Sequence, residues 1–153
     1  MSVRITFYGA AQTVTGSKYL LESARSKVLV DCGLFQGHKE LRLRNWAEPP
    51  FDVEELDAVV ITHAHVDHAG YLPLIVRRGY RGPVYCTAAT KELLKLLLPD
   101  TARLQEEEAR FANKRGSSKH RPALPLFGEA DAAQALKQLR PLTRSSAAIV
   151  APG

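Results

Sequence analysis

Three of the chain's five histidines fall within six residues, in the run His63-Ala64-His65-Val66-Asp67-His68. Imidazole nitrogens and a carboxylate at this density point first to metal ligation, because each offers a lone pair. The set suits zinc, and with more oxygen ligands it also admits manganese or iron. Residues two apart on an extended segment project to the same side, so His63 and His65 can grip one cation together. If the chain then turns, Asp67 and His68 face a second cation nearby. Chance placement, with five histidines and six aspartates in 153 residues, gives this pattern in roughly 2 of 10,000 such chains. The competing reading is a solvated, histidine-rich turn.

The elements that must position this run are legible on either side of it. Asp57-Ala58-Val59-Val60-Ile61-Thr62 is a short β-branched stretch, expected as a central strand buried on both faces. The histidines follow at its C-terminal end, where open α/β sheets place their ligands. Upstream, Val3, Ile5 and Phe7 alternate with polar residues at the period of a strand. Lys18–Glu22 and Lys27–Asp31 read as two more strands around a Ser23–Ser26 turn. Residues 34–50 show no clear period and predict a long loop with some helix. Downstream, Tyr71–Arg78 reads as a short helix with Pro73 in its first turn, and Val84–Cys86 as a brief strand. Thr87 or Thr90 can cap a helix carrying Leu93, Leu94 and Leu97. Pro99 is expected to kink that helix or to start the next, which runs to about Lys114. A last helix is expected near Glu129–Leu139, stopping before Pro141. Strands first, then strand and helix in alternation, predict an α/β layered domain.

Composition excludes several classes. At 45% hydrophobic and 24% charged residues, the chain is too apolar and too regularly patterned to be disordered. No apolar run nears the roughly 18 residues of a membrane helix. Met1–Ile5 has no hydrophobic signal core, and two cysteines, Cys32 and Cys86, suit a reducing compartment, so a cytoplasmic location is expected. The net charge of +5 is uneven: residues 61–122 hold eleven bases against six acids, while residues 31–60 hold three against seven. A basic half can attract a polyanion, or simply keep the protein soluble.

His63–His68 after a hydrophobic strand resembles the hallmark of the metallo-β-lactamase fold. Gly9-Ala10-Ala11-Gln12-Thr13-Val14-Thr15-Gly16-Ser17 and Asp31-Cys32-Gly33-Leu34-Phe35-Gln36-Gly37 narrow the match. Both resemble the RNA-processing branch, the β-CASP nucleases related to the cleavage-and-polyadenylation endonuclease. Gly70–Leu74 and Gly79–Tyr85 agree, so the resemblance runs from about residue 3 to Leu142.

The resemblance implies a two-metal phosphodiesterase. His63 and His65 would bind one zinc, with Asp67 and His68, the residues placed closest to the chemistry, on the other. A hydroxide between the ions would attack an RNA phosphodiester. Asp31 matches the family's first motif, a strand-end carboxylate that orders the metal loop from behind its ligands. Cys32 reads as a small buried filler, and His38 and His120 as surface histidines.

The family site also requires a histidine and a bridging aspartate from later strands, and a further histidine beyond an inserted domain. No histidine follows His120, and the only later aspartate, Asp131, falls in a predicted helix. The expectation is therefore the N-terminal portion of a metallo-β-lactamase αββα sandwich, truncated. Residues 1–142 form that portion, and residues 143–153 a divergent tail, disordered or carrying a weak strand. Sheets lacking partners would expose apolar faces. Self-association, or pairing with a missing C-terminal half, is expected to follow. Three functions stay open: an RNA-cleaving metallohydrolase, a hydrolase of a small ester, thioester or lactam on the same fold, and an inactive remnant binding metal or RNA.

Overall fold

In the computed structural model, residues 2–145 and 147–152 are described. Six strands form one mixed sheet whose spatial order is the chain order: β1 (Arg4–Gly9), β2 (Lys18–Glu22), β3 (Lys27–Val30), β4 (Ala58–Val60), β5 (Val84–Thr87) and β6 (Leu139–Leu142). The first three are antiparallel, with Phe7 opposite Tyr19 and Tyr19 opposite Val30. The last four run parallel, joined by helical crossovers as parallel strands require. Those crossovers hold α1 (Lys39–Leu43), a 3-10 turn at Arg44–Trp46, α2 (Val66–Ala69), α3 (Leu72–Arg77), α4 (Ala88–Arg115) and α5 (Glu129–Lys137).

The core lies between the sheet and helices α3, α4 and α5. Leu20, Leu29, Val59, Val84 and Leu139 point into it from the strands, meeting Leu74, Ile75, Leu94, Leu98 and Ala135 from the helices. The opposite sheet face carries Ile5, Phe7, Tyr19, Leu21, Val28, Val30, Val60 and Tyr85, and no helix covers it; Ile5 is 54% and Phe7 61% exposed. Helix and sheet thus make two layers, with an apolar face left bare. Strand β4 largely meets the expectation of burial on both sides: Ala58 and Val59, on opposite faces, are fully enclosed, and Val60 is half-buried.

Other elements depart from their sequence reading. Pro99 neither ends nor restarts a helix; α4 runs unbroken through it for 28 residues. Of the two candidate caps, Thr87 is the one used, its hydroxyl accepting from the Thr90 amide at 3.1 Å. Helix α5 stops at Lys137, and Leu139–Leu142 forms an edge strand. Pro141 is tolerated there because an edge strand can spare an amide donor. Beyond β6, residues 147–152 contain no strand.

Candidate metal centre

Strand β3 ends at Val30, and Asp31 leaves it in the left-handed region at φ 60. Asp is one of the few residues that accept this conformation cheaply. The kink aims a buried carboxylate back across the top of the sheet. Its Oδ1 accepts from the Thr62 amide at 2.9 Å and the Thr62 hydroxyl at 2.8 Å. Its Oδ2 accepts from Ser17 Oγ at 3.0 Å and from His68 Nδ1 at 2.7 Å. Every contact is to a residue beside or within the histidine run.

These bonds dictate tautomers. A carboxylate only accepts, so His68 carries a proton on Nδ1, and its Nε2 lies 3.5 Å from Asp67 Oδ2. The Thr62 hydroxyl proton is committed to Asp31, so at 3.0 Å Thr62 Oγ1 accepts from His63 Nδ1. His63 Nε2 is then left as an acceptor, and it meets His65 Nδ1 at 3.0 Å. One carboxylate therefore orients two imidazoles, His68 directly and His63 through a hydroxyl. The three rings are in contact, with centroids 4.7 Å apart for His63 and His65 and 4.0 Å for His63 and His68.

The backbone of the run is gripped just as closely. Helix α2 opens with Val66, Asp67 and His68, and all three carbonyls accept from earlier segments: Leu34 N at 3.0 Å, Ser17 N at 2.8 Å and Cys32 N at 2.7 Å respectively. Gly33 is needed for this approach, since a Cβ there would lie 1.6 Å from the Asp67 carbonyl oxygen. Ser17, Thr62 and Gly33 are neighbours of the histidine run that sequence reasoning did not single out. Ser17 and Gly33 lie inside the two segments that narrowed the resemblance.

The structure thus brings His63, His65, Asp67, His68 and Asp31 together at the C-terminal end of β4. His38 precedes α1 on an exposed turn, and His120 sits in an exposed loop where its amide donates to Ser118 Oγ. Asp131 is drawn into capping α5, accepting from the Gly128 amide at 2.9 Å. Among the described residues, no group of three or more His, Cys, Asp or Glu side chains is placed to hold a metal ion together. Cys32 is fully buried behind the loop, and burial pushes its thiol up to about 12. It is a neutral filler there. An open groove of about 800 Å³ runs beside His65, lined by Leu93, Leu96, Leu97, Lys95 and Arg103 of α4. No helix among the described residues is long and apolar enough to cross a membrane.

The family model of the Metallo-beta-lactamase superfamily matches residues 13–134. Ribonuclease TTHA0252 of Thermus thermophilus is 45% identical over 140 residues, which is 92% of this chain and 28% of that protein. Transcription termination factor FttA of Methanocaldococcus jannaschii is 38% identical over 108 residues, 71% of this chain and 17% of its own. The Probable RNase MJ4 of the same organism is 38% identical over 108 residues, 69% of this chain and 24% of its own. The chain therefore spans between 17% and 28% of the length of these curated relatives.

Proposed function

The chain belongs to the metallo-β-lactamase superfamily, and from that membership we propose that it carries the metal loop of a ribonuclease-like metallohydrolase of the β-CASP branch. One observation carries the reading. Two imidazole nitrogens on one tetrahedral zinc, each at roughly 2.0–2.1 Å, stand about 3.3 Å apart. His63 Nε2 and His65 Nδ1 stand 3.0 Å apart, so an ion replaces their shared proton with little movement.

In this reading His63 and His65 hold one ion, and Asp67 and His68 hold the other, with zinc the first choice. Bound there, divalent ions supply Lewis acidity to a phosphodiester and lower the pKa of a water. The chain's own residues do the rest. Asp31 keeps the His68 proton on Nδ1, and with Thr62 keeps that of His63 on Nδ1, so both Nε2 atoms stay available as ligands. Asp67, at the first turn of α2, is held by its backbone to Ser17. RNA is the substrate class favoured by the names of the relatives and by the basic balance of residues 61–122. The groove beside His65 offers apolar Leu93 and Leu96 to a base, while its cations Lys95 and Arg103 are paired with Glu92 and Asp100, partners a phosphate would have to displace. Free, buried Cys32 and Cys86 accord with a reducing cytoplasm. The bare sheet face favours a covered state, by a second copy or by another apolar layer.

Zinc content by atomic absorption tests the site: wild-type protein is expected to retain zinc, and His63→Ala and Asp67→Ala to lose it. Metal-free wild-type protein under zinc-replete conditions refutes the reading. Turnover of RNA against a thioester separates a nuclease from a small-ester hydrolase. Sedimentation of a compact monomer would refute the covered face.

A further inference from the structure

Lys18, the first residue of β2, is 4% exposed, rare for a lysine without an anion. Among the described residues no carboxylate pairs with it. Its ammonium instead lies 4.6 Å from the centroid of the Phe35 ring and 4.5 Å from that of Tyr71. It donates to the Gly33 carbonyl at 2.5 Å and reaches the Gly16 carbonyl at 3.5 Å. The other ionisable groups around it are Tyr8, Cys32, Arg44, Glu48, Tyr71 and, behind Tyr71, Arg78. Burial lowers the ammonium to about 8. The neighbouring Cys32 thiol, pushed up to about 12, supplies no counter-charge.

The Gly33 carbonyl belongs to the same peptide unit as the Leu34 amide. That amide donates at 3.0 Å to the carbonyl of Val66, the residue between His65 and Asp67. A cation on the oxygen of a peptide polarises its N–H and strengthens the bond that the N–H makes. The Gly16 carbonyl, which the ammonium reaches at 3.5 Å, shares its peptide unit with the Ser17 amide, and that amide donates to the Asp67 carbonyl at 2.8 Å. The ammonium therefore sits at the root of two of the three backbone bonds that grip the metal loop.

We propose that Lys18 is a positioning residue for the metal loop, its positive charge acting through the Gly33–Leu34 peptide on Val66 and so on the ligands to either side. The metal half of the proposal rests on the assignment of His63–His68 above; the backbone half does not.

The experiment uses the full chain, metal-free and zinc-loaded, as wild type, Lys18→Met and Lys18→Arg. Methionine keeps the apolar stem and loses the charge. Arginine keeps the charge and finds space in the small cavity of about 30 Å³ beside Lys18. In metal-free wild type, the Leu34 amide shift is expected to titrate with a midpoint near 8. In Lys18→Met that titration disappears, Leu34 exchanges its amide hydrogen about tenfold faster, and zinc measured against a chelator binds about tenfold more weakly. Lys18→Arg is expected to restore slow exchange and zinc affinity, with no titration near 8. A wild-type Leu34 amide whose shift stays flat through the deprotonation of Lys18, followed up to pH 11.5, overturns the proposal, and this arm stands even if Lys18→Met does not fold. Unchanged exchange and zinc affinity in a folded Lys18→Met overturn it too. If the amide responds as expected while wild type takes up no zinc, the metal assignment fails and the Lys18 contact stands.

Discussion

Asp31 anchors the turn after β3 and, under the proposed assignment, keeps two imidazoles in ligand-ready tautomers, two roles that substitution can separate. Asp31→Ala removes all four accepted bonds. Ser17, 1% exposed, then holds a hydroxyl without a partner, at about 1–3 kcal/mol. Placing alanine at φ 60 adds about 1 kcal/mol. Thr62 is exposed and His68 partly so, and water takes up much of what they lose. The expected total is about 2–4 kcal/mol by urea denaturation. Asp31→Asn tolerates the turn and keeps an oxygen for Thr62, but sets an amide NH2 against His68 Nδ1–H. Relief comes by moving the imidazole proton to Nε2, which blocks the ligand atom. Asparagine should therefore cost only about 1–2 kcal/mol of stability while weakening zinc binding about 10- to 100-fold. Zinc affinity by chelator competition, beside a urea titration, reads both. An Asp31→Asn protein that binds zinc as wild type does would refute the tautomer argument, and an alanine variant as stable as wild type would refute the anchoring.

Three other outcomes follow from the same contacts. Gly33→Ala drives a methyl into the Asp67 carbonyl, 1.6 Å from its ideal position; a loss of at least about 3 kcal/mol is expected, and an unchanged melting temperature would contradict the packing. Lys18 sets a pH dependence of stability. Its folded value, about 8, lies below the ordinary 10.5, so between these the unfolded chain holds the proton more often and stability rises with pH. The stability of wild type relative to Lys18→Met should climb by about 1 kcal/mol from pH 7 to pH 9, and a fall over that range would refute the assignment. Pro99→Ala returns an amide to the middle of α4 and should raise stability by about 1–2 kcal/mol in thermal unfolding; a lower melting temperature would show that the ring packs better than its backbone cost.

The sequence was most legible where a local pattern carries the signal. The β-branched run at Ala58–Val60, the alternation in β1 and the Thr87 cap all depend on near neighbours and were read close to where they lie. The histidine run stands out in the sequence because three of five histidines crowd into six positions. Strand β6 was missed because Leu139-Arg140-Pro141-Leu142 offers one inward leucine and a proline, and pairs only through tertiary contact with β5. Pro99 misled because the unbroken helix depends on α4 packing over the sheet, which overrides local propensity. The grip on the metal loop joins residues 17–18, 31–34 and 62–68, a meeting that no single stretch announces. Lys18 looked like an ordinary strand-end lysine; only the aromatic rings of Phe35 and Tyr71, brought from two other segments, make it a buried cation.

The strand order β1 to β6 also has a meaning in time. Every group that holds the histidine run, from Ser17 and Lys18 to Asp31, Cys32 and Leu34, lies upstream of it. As the chain leaves the ribosome, the three antiparallel strands can pair through short connections before residue 63 is made. The histidines then meet partners already made, and α3, α4 and α5 bring the core that fixes both. A loop rich in metal-seeking side chains would in this way spend little of its early life unheld.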